Sequence, residues 1–368
     1  MRAIITGGGT GGHIYPALAI AKGIIERYPN AEILYVGTDR GLESDIVPKA
    51  GYSFRSIKVA GFQRKLTLKN IKVLWQANQG LWQAFNIVRS YKPDVVVGTG
   101  GYVCGPVVMA AALQKIPTLI HEQNALPGVT NRILSKVSNK VAVTFEDSIK
   151  HFADKARVKL TGLPLRPEIF SCDREKAFTE LGLDSQKPVL LVFGGSRGAR
   201  SINMSMVKVV QELQKQDEIQ VLHATGKFGY EEYLDALRSE GISLVNTGNI
   251  NTVPYLYNMQ DALTAASLVV CRAGAATLAE LTALGLPSVL IPYPHAAENH
   301  QEYNARALSD RGAAVMIRDS ELTGELLLEQ IKQLISSSQR LEEMAKESTK
   351  LGRPNALDDI IDLIDDII

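Results

Sequence analysis

The sequence predicts an α/β protein with two doubly wound parallel sheets in tandem. Short runs of β-branched residues alternate with longer stretches of helical periodicity, and the alternation restarts in the second half of the chain. Strands that are continuous apolar runs are typical of parallel sheets covered by helices on both faces. The length of 368 residues exceeds the roughly 100 to 200 residues of one domain, which also favours two domains.

The strands are predicted at short apolar runs, each followed by a helical stretch. The runs are Ala3–Thr6, Glu32–Val36, Val95–Val97, Thr118–Ile120, Lys140–Thr144, Val189–Phe193, Gln220–Ala224, Leu268–Val270 and Ser288–Ile291. Two prolines and a glycine between Thr161 and Pro167 exclude a continuous helix, so we expect domains of 1–163 and 164–340 that meet at this linker. The amphipathic pattern at the end of the chain predicts a helix at about 341–368 that packs back on the first domain.

The net charge of +1 conceals two oppositely charged halves. Residues 1–163 hold 21 lysines and arginines against 10 acidic residues, a net +11, whereas residues 164–368 hold 19 against 29, a net −10. This asymmetry predicts an oriented molecule whose basic half faces an anionic surface.

The apolar runs are much shorter than the roughly 20 residues of a membrane span. The apolar stretch at the N-terminus is also too short for a signal peptide, so we expect a cytoplasmic location.

Glycine-rich loops follow the first strand of each half and lead into a helix. They are Gly7–Gly12 and Gly194–Ala199. Glycine permits a tight turn and the close approach of a ligand, and the following helix presents free N–H groups, so each loop is a candidate phosphate site. The first loop also satisfies GxGxxG, but the acidic residue that a dinucleotide site needs is represented only by Asp39, which comes late. Two such loops favour two phosphorylated substrates over one dinucleotide.

A third glycine turn, Cys271–Thr277, also follows a strand and opens a helix. Glu280 lies about one turn into that helix, where a carboxylate is a suitable acceptor for a pair of sugar hydroxyls. The alternative is an ordinary solvated carboxylate on a helix surface.

Several longer motifs resemble one known family. They are GGGTGGHIYPALA from residue 7, GTGGYVCGP at 98–106, HEQN at 121–124, GGSRGA at 194–199 and RAGAATLAEL from residue 272. These segments are similar to the MurG family, the peptidoglycan N-acetylglucosaminyltransferases that form lipid II and have the GT-B glycosyltransferase fold. The resemblance implies two Rossmann-like domains facing across a cleft. It also implies an inverting transfer of N-acetylglucosamine (GlcNAc) from UDP-GlcNAc to the MurNAc 4-hydroxyl of undecaprenyl-diphospho-MurNAc-pentapeptide, which is lipid I.

The resemblance places UDP-GlcNAc contacts in both halves. Departing UDP needs its diphosphate charge neutralised, and no strand-end DxD motif is present for a metal, so no metal or other cofactor is expected. Arg166 and the helix after Ser196 are expected to supply the positive charge, and backbone groups of Ile250 to hold uracil. The implied UDP-GlcNAc contacts are Thr10, Gly11, Gly12, Asn124, Arg166, Ser196, Ile250, Ala275, Ala276, Thr277, Leu278, Ala279, Glu280, Gln301 and Asn304.

His13 is the expected general base, because imidazole titrates near working pH and the resemblance places this position in the cleft. The preceding residues, Thr10 to Gly12, are expected to cradle the acceptor diphosphate and to line the sugar site. Glu122 is the competing catalytic carboxylate. Each of the two has a structural alternative: His13 as a residue that caps or packs at a helix start, and Glu122 as a partner for neighbouring backbone groups.

A basic, aromatic stretch without any acidic residue lies between Asp45 and Asp94 and carries both tryptophans. Apolar side chains rimmed by cations suit the anionic cytoplasmic face of the cell membrane, where lipid I lies. The expected membrane contacts are Lys69, Lys72, Trp75, Trp82 and Phe85. The alternative is a set of core aromatics with a solvated basic face. Nucleic acid is not expected, since no recognised binding module accompanies the patch; other cell-wall synthesis proteins are further candidate partners.

Two other functions remain open. A UDP-GlcNAc 2-epimerase of the same fold would act on UDP-GlcNAc alone, and a non-catalytic nucleotide-sugar binding protein would release no UDP. The HEQN motif and the basic, aromatic stretch favour the transferase.

Overall fold

The chain folds into two compact units. A computed structural model describes residues 1–59, 69–242 and 248–368, with the backbone alone for 69–77. The first unit combines Met1–Leu165 with Arg353–Ile368, and the second is Arg166–Gly352. Each contains one parallel sheet with helices between its strands, which confirms the predicted α/β class.

The first unit is built on a sheet whose strand order reverses at its centre. Its described strands are β1 (Arg2–Thr6), β2 (Glu32–Gly37), β3 (Ser53–Ser56), β4 (Val95–Gly98), β5 (Thr118–Glu122), β6 (Lys140–Val143) and β7 (Val158–Leu160). They lie in the order β3-β2-β1-β4-β5-β6-β7 and pair in parallel. Because the chain moves outwards in opposite directions from β1 and β4, a crevice forms beyond their carboxyl ends, where ligands bind in such sheets.

Helices cover the faces of this sheet and bury its apolar strands. They are α1 (Gly11–Arg27), α2 (Glu43–Lys49), α3 (Lys69–Tyr91), α4 (Cys104–Leu113) and α5 (Val129–Leu134). One core cluster joins α1 to the strand residues Ile5 and Val97, and a second joins α4 to Ile4 and Val96. Successive strand residues therefore point to opposite faces, and both faces are dry, as the continuous apolar runs predict.

The second unit repeats the plan. Its described strands are β8 (Val189–Phe193), β9 (Gln220–Ala224), β10 (Ile250–Val253), β11 (Leu268–Cys271), β12 (Ser288–Leu290) and β13 (Ala314–Met316), in the order β10-β9-β8-β11-β12-β13. Its helices are α6 (Arg174–Leu181), α7 (Arg200–Leu213), α8 (Tyr230–Ser239), α9 (Met259–Ala265), α10 (Ala275–Ala283), α11 (His300–Ser309), α12 (Gly324–Ile335) and α13 (Ser338–Leu351). The order reverses between β8 and β11, which marks the corresponding crevice.

The end of the chain differs from the single helix expected at about 341–368. It forms two helices, because Gly352 and Pro354 interrupt the helical pattern between α13 and α14 (Ala356–Asp365). Helix α13 stays in the second unit, where the buried Ser348 hydroxyl donates to the Leu286 carbonyl at 3.2 Å. Only α14 joins the first unit, where Ile360, Ile361, Leu363 and Ile364 enter the α1 core.

No helix in the described part of the chain is long and apolar enough to cross a membrane.

Candidate active site

The first glycine loop occupies the crevice at the carboxyl end of β1. Gly9 has φ of +85°, a conformation that glycine adopts without strain, and the N–H of Gly8 donates to the Gly100 carbonyl at 3.3 Å. A buried carboxylate organises the loop from beneath, since Glu43 is 0% exposed and accepts from the Gly9 N–H at 3.2 Å. Because Gly9 already donates to the protein, the donors that remain for a ligand are those of the first turn of α1.

The same carboxylate argues against a dinucleotide site in this loop. Glu43 also accepts from the backbone N–H of Thr38 at 3.1 Å and from its hydroxyl at 2.7 Å. It thus joins the ends of β1 and β2, where a dinucleotide-binding protein keeps the loop N–H groups for pyrophosphate and an acidic residue for ribose. Asp39, the only acidic residue available from the sequence pattern, is exposed.

Thr10, Gly11, Gly12 and His13 lie together at the start of α1. Thr10 is the exposed N-cap residue and its side chain makes no capping hydrogen bond. The half-buried His13 ring lies with Nδ1 3.0 Å from the Thr99 carbonyl and 2.9 Å from Oε1 of Gln123. The Thr99 hydroxyl donates to the His13 carbonyl at 2.8 Å. This turn of α1 is therefore held against the loop that follows β4, and the ring is oriented by its Nδ1 side.

Glu122 has a structural environment rather than that of a general base. Its side chain is 2% exposed, and its carboxylate accepts from the backbone N–H groups of Asn124 at 2.9 Å and Gly128 at 3.1 Å. The amide of Asn131 donates to it at 2.8 Å and that of Asn124 at 3.3 Å. A buried carboxylate with four donors holds the 122–131 loop and has no face for a substrate, so the predicted catalytic role of Glu122 is wrong. Asn124 is half-buried beside it.

The second unit contains two adjoining cavities at the carboxyl ends of its strands. The larger has a volume of about 830 Å³ and the smaller about 260 Å³, and both are lined by Phe193, Gly195 and Thr277. Gly195 has φ of +86°, nearly the value of Gly9 in the first loop. Each glycine loop therefore contains a glycine in the left-handed region, and the second loop borders a cavity.

The smaller cavity brings Arg166 and Glu280 together. Nη2 of Arg166 lies 3.5 Å from Oε1 of Glu280, and Ser196 borders the same space. Burial raises the pKa of Glu280 above the ordinary glutamate value, and the nearby Arg166 guanidinium partly opposes that rise. The sequence had offered an exposed helix carboxylate as the alternative for Glu280, but its side chain is only 18% exposed.

The predicted uracil contact at Ile250 is wrong. Ile250 is the first residue of β10, is 2% exposed and belongs to the hydrophobic core, so it lies at the opposite end of the strand from the cavity. The segment that follows β10 lines the cavity instead, through Tyr255, Leu256 and Tyr257. Lys227 lies over the two tyrosine rings, with Nζ 5.4 Å and 5.8 Å from their centroids.

The larger cavity is lined by several arginines and by other polar side chains. Arg197 and Arg200 follow the glycine loop, while Arg272 pairs with Asp319 across 2.5 Å and lies over the Tyr293 ring. Gln301 is in the wall, with its Oε1 accepting from the Tyr293 N–H at 2.9 Å. Positive charge is thus concentrated at this cavity, although residues 164–368 carry a net −10.

The remaining predicted donor contacts separate into two groups. Helix α10 begins at the cavity, so Ala275 and Ala276 lie at its first turn and Thr277 is in the wall, with Ala279 half-buried. The side chain of Leu278 is 0% exposed and faces the core. Asn304 is also 0% exposed, and its amide donates to the Ala273 carbonyl at 3.2 Å. The burial of Asn304 argues against its predicted sugar contact, whereas the contact of Leu278, which was assigned to the turn and not to its side chain, stays a prediction.

The predicted membrane contacts lie on α3, and the structure describes only part of them. Trp82 is 68% exposed on this helix. Phe85 is half-buried and packs against the core of the first unit, so its membrane contact stays a prediction. The side chains of Lys69, Lys72 and Trp75 lie outside the described residues.

Comparisons with known proteins cover almost the whole chain. Residues 3–143 match the glycosyltransferase family 28 N-terminal domain, and residues 189–360 match the family 28 C-terminal domain. A Desulforamulus reducens protein is 61% identical over 368 residues, covering 100% of this chain and 99% of that protein. Its name is UDP-N-acetylglucosamine--N-acetylmuramyl-(pentapeptide) pyrophosphoryl-undecaprenol N-acetylglucosamine transferase.

Solved structures agree with this relationship. The crystal structure of Acinetobacter baumannii MurG has a TM-score of 0.80 and 29% sequence identity, covering 99% of both chains. The UDP-GlcNAc 2-epimerase of Neisseria meningitidis, with a TM-score of 0.68, covers 100% of both chains at 14% identity, which shows a common fold alone. The GT-B prediction is thereby confirmed. Since both family 28 domains match and the relative is 61% identical over the full length, this chain belongs to glycosyltransferase family 28 and, within it, to the MurG N-acetylglucosaminyltransferases.

Proposed function

We propose that this protein transfers GlcNAc from UDP-GlcNAc to the MurNAc 4-hydroxyl of lipid I and so forms lipid II, with His13 as the general base. The observation that carries the donor assignment is the pair of adjoining cavities in the second unit, with Arg166 and Glu280 in one and Gln301 in the other. The acceptor assignment is supported by the 61% identical relative, whose printed name contains both the donor sugar and the polyprenyl acceptor.

The two cavities suit the parts of UDP-GlcNAc. The smaller one, with two tyrosines and a half-buried carboxylate, takes the nucleoside: Glu280 accepts from the ribose hydroxyls and the 254–257 backbone meets uracil. The diphosphate lies against Ser196 and the N-terminus of α7, where Arg197 adds charge. The sugar extends towards Gln301, whose amide nitrogen remains as a donor because its oxygen is occupied by the Tyr293 N–H. Arg166 releases Glu280 and turns to the diphosphate.

The acceptor is assigned to the first unit. The N–H groups in the first turn of α1 and the Thr10 hydroxyl bind its diphosphate, because Gly9 is already bonded to Glu43. His13 then removes the proton of the attacking hydroxyl through Nε2, since Nδ1 faces the Thr99 carbonyl and Gln123. An inverting displacement needs one such base and a stabilised leaving group, and these two sets of residues supply them.

Helix α3 is proposed to meet the cytoplasmic face of the membrane. Trp82 is exposed on this helix, and the net +11 of residues 1–163 favours an anionic surface. Sedimentation should therefore recover more protein with vesicles of anionic lipid than with neutral ones, and Trp82→Ala should weaken this binding. Equal recovery with both lipids would reject the electrostatic part of the proposal.

The decisive variant for the base is His13→Ala. We expect kcat to fall about a hundredfold to ten-thousandfold, the usual contribution of a positioned base, with the Kd of UDP-GlcNAc unchanged because the donor cavities contain no residue of the first unit. His151→Ala, which removes another histidine of the same unit, is the matched control and should keep wild-type turnover. Near wild-type turnover of the His13 variant would reject the base assignment.

A further inference from the structure

A chain of hydrogen bonds extends from His13 into the interior of the first unit. Nδ1 of His13 lies 2.9 Å from Oε1 of Gln123 and 3.0 Å from the Thr99 carbonyl. Both of these oxygens are acceptors, so Nδ1 must carry the ring proton. A neutral imidazole with its proton on Nδ1 has its lone pair on Nε2.

The orientation of the Gln123 amide follows from its other contacts. Its Nε2 lies 2.8 Å from the Thr99 carbonyl, 3.0 Å from the His121 carbonyl and 2.9 Å from Nδ1 of His121. Rotating the amide by a half-turn would place its oxygen against two carbonyl oxygens, which would cost both hydrogen bonds and bring acceptors together. The nitrogen therefore points inwards and the oxygen points to His13.

The inner end of the chain is anchored by a backbone carbonyl. Nε2 of His121 lies 2.9 Å from the Gly162 carbonyl, so this nitrogen carries the proton of His121 and Nδ1 is left to accept from Gln123. His121 is 0% exposed, and burial lowers its pKa to about 4, with the neighbouring His13 adding to the effect. It therefore stays neutral at physiological pH, with its proton on Nε2.

We infer that Gln123 and His121 are positioning residues for the transfer reaction, which hold His13 in the tautomer whose Nε2 is free to accept a proton. This inference rests on the proposed role of His13 as the base. Neither residue touches a substrate in this scheme. Their role is transmitted through Nδ1, in the way that partners of catalytic and metal-bound histidines select one ring nitrogen.

The first arm of the test measures the tautomer itself. Protein labelled with ¹⁵N-histidine gives separate nitrogen signals for the two neutral tautomers, and comparison with His13→Ala assigns the His13 signals. We expect the Nδ1–H form in the full-length protein and a mixture with the Nε2–H form in Gln123→Met, which removes the nearer of the two acceptors at Nδ1, leaves the Thr99 carbonyl and keeps a side chain of similar volume. An unchanged tautomer in this variant overturns the inference.

The second arm measures the reaction. Residues that orient a functional histidine through its other ring nitrogen typically contribute about tenfold to a hundredfold, so we expect kcat of Gln123→Met to fall by that factor while calorimetry gives an unchanged Kd for UDP-GlcNAc. A loss of kcat without a change of tautomer would indicate a merely structural glutamine and would also overturn the inference.

Two matched variants of His121 test the same inference if Gln123→Met does not fold. His121→Asn retains an acceptor oxygen near the position of Nδ1, whereas His121→Leu removes it. We expect the asparagine variant to keep the Nδ1–H form of His13 and turnover within a few-fold of wild type, and the leucine variant to lose both. Equal losses in the pair would contradict the inference. Failure of the base proposal is distinguishable, because it would appear as an active His13→Ala protein while the tautomer measurements stay informative.

Discussion

Glu43 gives the most direct test of how the first glycine loop is held. Its two carboxylate oxygens accept from different residues. Oε2 accepts from the Gly9 N–H at 3.2 Å, whereas Oε1 accepts from the Thr38 N–H at 3.1 Å and from the Thr38 hydroxyl at 2.7 Å. In Glu43→Gln the amide oxygen can serve Thr38, which leaves the amide nitrogen facing the Gly9 N–H. One charge-assisted hydrogen bond is lost, and two buried donors oppose each other.

The expected magnitude follows from these contacts. A hydrogen bond to a charged group contributes about 1.5–3 kcal/mol and an unsatisfied buried donor costs about 1–3 kcal/mol, so we expect the free energy of unfolding to fall by about 3 kcal/mol. Urea unfolding followed by circular dichroism measures this change. Because Gly9 would lose its anchor, kcat/KM for lipid I should also fall about tenfold or more, with an unchanged Kd for UDP-GlcNAc.

The matched control for this variant is Asp39→Asn, which neutralises an exposed carboxylate in the neighbouring loop. It should change the unfolding free energy by less than about 0.5 kcal/mol, as surface substitutions usually do. If Glu43→Gln were as stable and as active as this control, the argument that Glu43 organises the loop would be refuted.

Three further predictions follow from the second unit and from the buried histidines. Acidification should weaken UDP-GlcNAc binding at a higher pH than the titration of an ordinary glutamate would, because burial raises the pKa of Glu280 and its protonated form accepts ribose hydroxyls poorly. Glu280→Gln should bind about tenfold more weakly with less pH dependence, and a pH-independent wild-type Kd would count against the ribose contact. Tyr255→Ala should raise the KM for UDP-GlcNAc, whereas Ile250→Val should only lower the unfolding free energy by about 1 kcal/mol; the opposite pattern would restore the Ile250 contact. Burial lowers the pKa of His121 to about 4 and of His223 to about 3, so the unfolded chain binds protons below about pH 6.5 that the folded state excludes. Stability should therefore fall between pH 6.5 and 5 by up to about 1.4 kcal/mol per pH unit for each histidine, and a flat urea-unfolding profile over that range would contradict this.

The sequence predicted those strands whose signal is local. The nine predicted strands are all observed, because each is a continuous apolar run. Four strands were missed: β3, β7, β10 and β13. Strand β3 (Ser53–Ser56) is polar at three of its four residues, and polar residues also interrupt β7 and β10, so no apolar run marks these three. Strand β13 lies in the apolar run Ala313–Ile317, which was overlooked.

The parts of the candidate site that are formed by local backbone turns could be predicted from the sequence. The side-chain partners that depend on tertiary packing could not. Both glycine loops and the start of α10 could be placed, since glycine spacing after a strand is visible in one segment. The partners of His13 and Glu122 come from distant or looped segments, such as Gln123, which lies 110 residues from His13. Asn304 donates to the Ala273 carbonyl because it lies on the buried face of α11. A single sequence does not show which face of that helix is buried.

The error at Ile250 has a specific cause. The resemblance implied a contact at Ile250, but Ile250 begins a strand, and ligands bind at the carboxyl ends of parallel strands. Pro254, which directly follows β10, was the available signal, because proline has no N–H for a strand ladder and so marks where the pairing ends. The residues after it line the cavity.

The proposed transfer of GlcNAc to a lipid-linked acceptor can be tested by UDP release from UDP-GlcNAc, measured with and without a lipid I analogue. We expect UDP release only with the acceptor, in equal amount to the disaccharide product, and its loss in His13→Ala. Formation of UDP-ManNAc from UDP-GlcNAc alone would indicate an epimerase, and binding without any UDP release in the presence of the acceptor would indicate a non-catalytic protein; either result would contradict the account.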